Sequence, residues 1–107
     1  MSVTGPEMAQ ADRLRLDKWL FFARFAKSRS VAAALVEGGA IRINGRKVDV
    51  AARPVRVGDV LTMKLAGDVR LIRVEALGTR RGPASEARTL YSEHVDESVP
   101  AGEDAPV

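Results

Sequence analysis

The sequence predicts an α+β domain in which two N-terminal helices pack on a small, mostly antiparallel sheet, followed by a short C-terminal helix and an acidic tail. Three observations support this class. Apolar residues recur at helical spacing near the N-terminus, they alternate with polar residues after residue 40, and an Asn-Gly pair stands between two short strand-like runs. A chain of 107 residues is expected to hold one domain with a small core.

The first predicted helix has Asp17 as its N-cap and runs to about Ala26. Leu16, Leu20 and Ala23 recur at helical spacing and form its inward stripe. Asp17 is expected to be structural, either as this cap or as the partner of an arginine.

The second predicted helix covers the run "VAAALVE" and is capped by Ser28 or Ser30. Gly38-Gly39 ends it, because glycine readily adopts the backbone conformation that closes a helix. Its core-facing residues are Ala32, Leu35 and Val36.

After the helices the sequence indicates strands. Asn44-Gly45 is the preferred pair for a type I′ turn and predicts a hairpin. Pro54 interrupts the next segment, and a turn at 57–59 leads into "VLTMKLA". There Leu61, Met63 and Leu65 alternate with Val60, Thr62 and Lys64. In the following strand, "VRLIRVEAL", the alternation slips near Leu71-Ile72, which suggests a bulge.

Composition divides the chain into four parts. Residues 1–12 are a predicted flexible leader, 13–78 the predicted domain, and 79–95 a basic loop with a short helix that begins near Pro83 and contains His94. Residues 96–107 form a predicted acidic, disordered tail.

Charge is concentrated in the middle of the chain. Residues 13–81 carry 16 basic and 6 acidic side chains, a net charge of +10, although the whole chain has only +3. So basic a segment predicts a polyanion as partner. The alternative is a solvated basic surface without a partner.

The residues available for catalysis are few. The chain has no cysteine, and its single histidine, His94, has no second His or Cys with which to bind a metal. No phosphate-binding loop opens a helix. We therefore expect a binding protein rather than an enzyme, without cofactor, metal or small-molecule substrate. With no signal peptide and no apolar run of roughly 20 residues, a soluble cytoplasmic protein that makes no membrane contact is expected.

The segment "RLDKWLFFARFAKSR", residues 15–29, contains five basic residues and four of the chain's five aromatic ones. On a helical wheel its basic-aromatic stripe falls within about 80° and comprises Arg15, Lys18, Phe22, Phe25 and Arg29. Basic stems can lie over the rings while their heads reach phosphate. The alternative is that the rings belong to the core and the arginines only flank them.

The order of these motifs resembles the RNA-binding domain named after small-subunit ribosomal protein four, the S4 domain. The resemblance covers residues 15–61 and implies that 13–78 is such a domain. The matching residues are Arg15-Leu16-Asp17, Leu20, Arg24, Ser28-Arg29, Ala32, Leu35-Val36, Gly39, Asn44-Gly45, Val48 and Val57-Gly58-Asp59.

Together with "TRRGPASEARTLYSE" at 79–93, the first segment also resembles the heat-shock protein fifteen family. That resemblance implies binding to ribosomal RNA of the large subunit and a role in rescuing subunits that carry a stranded peptidyl-tRNA. Members of the family commonly continue into a basic C-terminal extension, whereas this chain turns acidic.

Residue reasoning and resemblance indicate the same RNA-binding residues: Arg15, Lys18, Arg24, Lys27, Ser28, Arg29, Arg42, Asn44 and Lys47. The basic residues of 15–29 are expected to supply charge for phosphates, Ser28 to cap a helix or donate to a phosphate, and the hairpin residues to flank the contact. Structured RNA is the expected target. Two alternatives stay open to test: a generic RNA or DNA binder outside the ribosome, and a protein-interaction module. A third, a pseudouridine synthase, is not expected, because the residues beyond the predicted domain are too few for a catalytic domain.

Overall fold

The computed structural model describes residues 12–94. Within them the predicted α+β class is confirmed, with helices on one side of an antiparallel sheet. The predicted tail at 96–107, and the predicted leader apart from Asp12, lie outside the described residues. Among the described helices none is long and apolar enough to cross a membrane.

The first helix, α1 (Leu16–Phe22), is shorter than predicted, and the N-cap assignment of Asp17 was wrong. Arg15 is the N-cap, because a two-residue strand, β1 (Leu14–Arg15), pairs with β4 (Pro54–Val55) and holds the chain extended up to that point. The Asp17 N–H donates to the Ala51 carbonyl.

The helix ends where Arg24 takes a left-handed backbone, with φ of 65°. The Phe25 N–H then returns to the Leu20 carbonyl at 2.9 Å, which closes the helix as a left-handed C-terminal cap does. Residues 15–29 are therefore not one helix, and the wheel that placed Phe25 and Arg29 on one stripe with Arg15 does not apply to them. The predicted inward stripe of α1 is buried.

The second helix, α2 (Arg29–Glu37), begins and ends as predicted. The Ser28 hydroxyl accepts a hydrogen bond from the Val31 N–H at 3.1 Å and is the N-cap. Gly38 closes the helix and Gly39 follows with φ of 82°.

Five antiparallel strands form the main sheet in the spatial order β3-β2-β5-β6-β7. Asn44 and Gly45 join β2 and β3 with φ of 51° and 82°, the two positive values that a type I′ turn requires. The strands are β2 (Ile41–Ile43), β3 (Arg46–Lys47), β5 (Val60–Leu65), β6 (Asp68–Val74) and β7 (Tyr91–His94).

Two sequence predictions in this sheet were wrong. No bulge interrupts β6, since its pairing with β5 is continuous from Val60↔Arg73 to Leu65↔Asp68; Leu71 breaks the apolar alternation because it lies on the outer face of the sheet. His94 is not helical. The last helix, α3 (Ala84–Ala87), passes through a 3₁₀ turn into β7, where pairing with β6 overrides local helix preference.

The core lies between the helices and one face of the sheet. Alternate strand residues point to it, and they are Ile41, Ile43, Leu61, Met63, Ile72 and Val74. Trp19 from α1 is fully buried there and donates its indole N–H to the Ala76 carbonyl at 2.9 Å. Since side chains alternate along a strand, Arg42, Thr62 and Leu71 lie on the opposite, outer face.

Candidate nucleic-acid interface

A buried carboxylate brings together two of the predicted arginines. Arg15 donates to Asp17 through Nε to Oδ1 at 3.1 Å and through a terminal nitrogen to Oδ2 at 2.9 Å. A terminal nitrogen of Arg29, from the start of α2, lies 3.6 Å from the same Oδ2. We call Arg15, Asp17 and Arg29 the helix cluster.

The helix cluster has a buried centre and exposed ends. The Asp17 side chain is 5% exposed, whereas those of Arg15 and Arg29 are 52% and 45% exposed. Burial alone would raise the pKa of Asp17, but the hydrogen bonds and charge of Arg15, aided by Arg29, outweigh it and lower the pKa below its usual value. Asp17 is thus the arginine partner that the sequence allowed, and it leaves guanidinium N–H groups of both arginines facing solvent.

Lys18, Lys27 and Ser28 adjoin the helix cluster along the chain. The Lys18 ammonium lies 5.8 Å from the centre of the Phe22 ring, and that ring is only 7% exposed. Phe22 therefore belongs to the core, as the alternative reading of the aromatic residues proposed. Lys27 is exposed, and Ser28 uses its hydroxyl oxygen as the α2 cap.

The remaining predicted residues of the hairpin form a second group. Arg42 and Lys47 are paired across β2 and β3, and both are exposed. The Asn44 side chain is engaged at both ends, since its amide N–H donates to Asp59 at 3.1 Å and its oxygen accepts from the Val60 N–H at 2.9 Å. We call Arg42, Asn44 and Lys47 the hairpin group; its Arg42 lies on the outer face of the sheet, away from the helices.

Arg24 joins neither group. Its Nε donates to the Gly82 carbonyl at 2.7 Å, across 58 residues of sequence, and ties the end of α1 to the basic loop at 79–82. Arg24 contributes to a cavity with two other arginines, Arg70 and Arg88.

Arg81 was not among the predicted RNA-binding residues, but in the structure it stacks on Phe21 of α1. Its guanidinium carbon lies 4.8 Å from the centre of the Phe21 ring, and its buried Nε has no hydrogen-bond partner among the described residues. Beside it, Arg80 makes a two-point ion pair with Glu86. The "TRRG" run marked this loop as basic, but only the tertiary contacts show that it covers α1.

Metal chemistry has no support in residues 12–94, where no cluster of three or more His, Asp or Glu side chains is placed to hold an ion. What the described residues do bring together is a set of half-exposed arginine side chains. Carboxylate or carbonyl groups hold their guanidinium groups in place. Such groups recognise planar or tetrahedral oxyanions.

The fold and these arginines define the class of protein. Residues 14–61 match the family model described as the S4 domain. This region includes α1, α2, the hairpin and the beginning of β5, and it contains all nine predicted RNA-binding residues.

Full-length relatives narrow the class. The chain is 41% identical over 83 residues to Heat shock protein 15 of Escherichia coli (strain K12), a match that covers 78% of this chain and 62% of that protein. It is 37% identical over 79 residues to the small ribosomal subunit protein uS4 of Opitutus terrae, covering 74% of this chain and 39% of the relative. The match thus spans less than two thirds of the length of these relatives.

A solved structure agrees with the sequence relatives. The trimeric structure of Vibrio cholerae Heat Shock Protein 15 superposes with a TM-score of 0.73 at 38% identity, covering 78% of this chain and 84% of that one. The chain belongs to the Heat shock protein 15 family.

Proposed function

We propose that the protein binds structured RNA through the helix cluster. The observation that carries this proposal is the pair of half-exposed arginines, one at the N-cap of α1 and one in the first turn of α2, that one buried carboxylate holds in place. Because they are already ordered, Arg15 and Arg29 lose little side-chain freedom when a phosphate docks. Membership of an S4-domain family supports RNA as the polyanion.

The hairpin group and the lysines complete the proposed contact. Lys18 and Lys27 extend the positive charge of the helix cluster, and Ser28 holds the start of α2 that carries Arg29. Arg42 and Lys47 reach from the hairpin, where Asn44 fixes the turn. A-form RNA is read mainly by shape and phosphate contacts, which suits separate basic groups on a rigid domain.

Ribosomal RNA is the proposed target, and the cytoplasm the proposed location. Two kinds of relative support this, since one is a heat shock protein and the other a small ribosomal subunit protein. The finer proposal is that the protein binds the large subunit and takes part in rescuing stalled subunits. It acts there as a binding protein and not as an enzyme.

Co-sedimentation with purified large and small ribosomal subunits at two salt concentrations tests these proposals. The wild-type protein should sediment with large subunits and should release as salt rises. The variant Arg15→Gln/Arg29→Gln should bind at least about 100-fold more weakly, because it loses two charge-assisted hydrogen bonds of about 1.5–3 kcal/mol each and about 1.4 kcal/mol is tenfold in affinity.

The matched control is Arg56→Gln/Arg73→Gln, which removes the same charge from exposed positions outside the proposed contact. It should weaken binding only a few-fold. Equal, weak binding to every RNA would favour a generic nucleic-acid binder, and binding that ignores salt would favour a protein partner. A wild-type protein that binds no RNA even at low salt would contradict the proposal.

A further inference from the structure

A small cavity lies where the end of α1 meets β6, β7 and the C-terminal helical turns. Its volume is about 130 Å³. Three of its lining residues are Arg24, Arg70 and Arg88. Arg70 and Arg88 lie beyond the S4 match at 14–61, so the cavity exists only because the chain returns to α1 after that domain.

One wall of the cavity is rigid. Arg70 makes a two-point ion pair with Glu93, at 2.7 and 2.6 Å, and its guanidinium carbon lies 5.3 Å from the centre of the Phe25 ring. Phe25 in turn packs on Tyr91, with 4.7 Å between ring centres. Glu93 therefore neutralises the charge of Arg70, and this arginine lines the cavity without adding net positive charge to it.

The other two arginines supply net positive charge. Arg24 uses Nε to hold the Gly82 carbonyl, and its terminal nitrogens make no hydrogen bond within residues 12–94. Arg88 is exposed and forms no ion pair with any other described residue. Arg24 and Arg88 thus line one small cavity, and both have guanidinium donors that no described residue uses, an arrangement that suits the oxygens of a phosphate.

We infer that this cavity, the arginine pocket, binds a phosphate group of RNA between Arg24 and Arg88. The inference rests on the proposed RNA-binding function and adds a second anchoring point to it. Arg15 and Arg24 flank opposite ends of α1, whose seven residues span roughly 10 Å at 1.5 Å per residue. The arginine pocket therefore contacts a different phosphate from the one that the helix cluster binds.

Binding of a labelled RNA duplex over a range of salt concentrations tests the arginine pocket. Arg88→Gln should weaken binding about five-fold and should reduce the slope of log K against log salt by about 0.7–0.9, the loss of one phosphate contact. Arg73→Gln, an exposed arginine on the outer face of the sheet, is the matched control and should change neither quantity by as much. Arg88 is exposed, so its variant should fold; the circular dichroism spectrum checks this.

A second readout follows the side chains directly. In NMR spectra the Nε–H signal of Arg88 should shift when the RNA duplex is added to the wild-type protein. If the wild-type protein binds RNA and Arg15→Gln/Arg29→Gln impairs binding, but Arg88→Gln does not, the arginine pocket is wrong and the proposed function stands. The inference would also be overturned if the Nε–H signal of Arg88 shifts with inorganic phosphate alone while Arg88→Gln binds RNA as tightly as the wild-type protein does. Failure of the wild-type protein to bind RNA would overturn both.

Discussion

In the helix cluster, two arginines at the starts of α1 and α2 share one buried carboxylate. In the hairpin group, by contrast, Arg42 and Lys47 project from paired strands of an edge hairpin into solvent. Both groups are positively charged, but only the first is held by ion pairs. In the second, the ordered element is the backbone turn, which Asn44 fixes.

This difference predicts two kinds of contribution to binding. Arginines that are already positioned lose little conformational entropy on binding, so the helix cluster should supply more affinity per residue. Arg42 and Lys47 are exposed and make no ion pair with another described residue, so they should contribute mainly through long-range attraction, which depends strongly on salt. Variants that remove the ion pairs of the helix cluster, or the positive charges of the hairpin group, separate the two contributions.

The largest expected effect comes from Asp17→Asn. This change removes the carboxylate that both arginines share, so the free energy of unfolding should fall by about 1–3 kcal/mol, and RNA affinity should fall although no basic residue is lost. Chemical denaturation and RNA titration measure the two effects. Asp49→Asn, an exposed carboxylate outside the cluster, is the control. An Asp17→Asn protein that binds RNA more tightly would show that charge alone, and not positioning, decides affinity.

The stability difference between wild type and Asp17→Asn should also depend on pH. The pKa of Asp17 is lowered in the folded protein, so its stabilisation is complete above the unfolded value of about 3.9 and disappears as pH falls through the lower folded-state pKa. Unfolding curves of the two proteins should therefore converge in strong acid. A constant difference down to the lowest pH would mean that the ion pairs do not cause it.

An intermediate effect is expected from Asn44→Ala. It removes the hydrogen bonds that Asn44 makes to the Asp59 carboxylate and to the Val60 N–H, and it places alanine at φ of 51°, a left-handed conformation that alanine adopts less readily than asparagine. The free energy of unfolding should fall by about 1–2 kcal/mol. Thermal unfolding measures the change, with the exposed neighbour in Arg46→Ala as control. If the hairpin group needs its turn, RNA binding should weaken as well; unchanged binding would show that Asn44 has no part in presenting the basic residues.

The smallest effect on stability should come from Arg42→Gln/Lys47→Gln. Both side chains are exposed, so the free energy of unfolding should change by less than about 0.5 kcal/mol. RNA affinity should fall about three- to ten-fold at low salt, and the slope against log salt should fall by about 1–2, since up to two phosphate contacts are lost. If the loss of affinity persists at high salt, Arg42 and Lys47 contact the RNA directly and in fixed positions, as is proposed for the arginines of the helix cluster.

Local signals determined much of this protein from its sequence. Ser28 caps α2 because a serine hydroxyl reaches the Val31 N–H three residues on, and Asn44-Gly45 turns the hairpin because both residues tolerate positive φ. The apolar spacing of α1 identified residues that are buried in the core. Each of these features depends on neighbours within a few positions, so it can be read along the chain.

Long-range contacts decided the rest. Helix α1 stops at Phe22 because Arg24 turns left-handed and bonds to Gly82, and Tyr91–His94 is a strand because it completes the edge of the sheet beside β6. The sequence marked Asp17 as a cap or an arginine partner; only the packing of Arg15 and Arg29 around it selected the second role. Charge and composition therefore indicated a polyanion, while the tertiary structure alone determined which arginines meet. Arg15 and Arg29 come from different elements that pack around Asp17, and Arg24 meets Arg70 and Arg88 from segments more than 40 residues further along the chain.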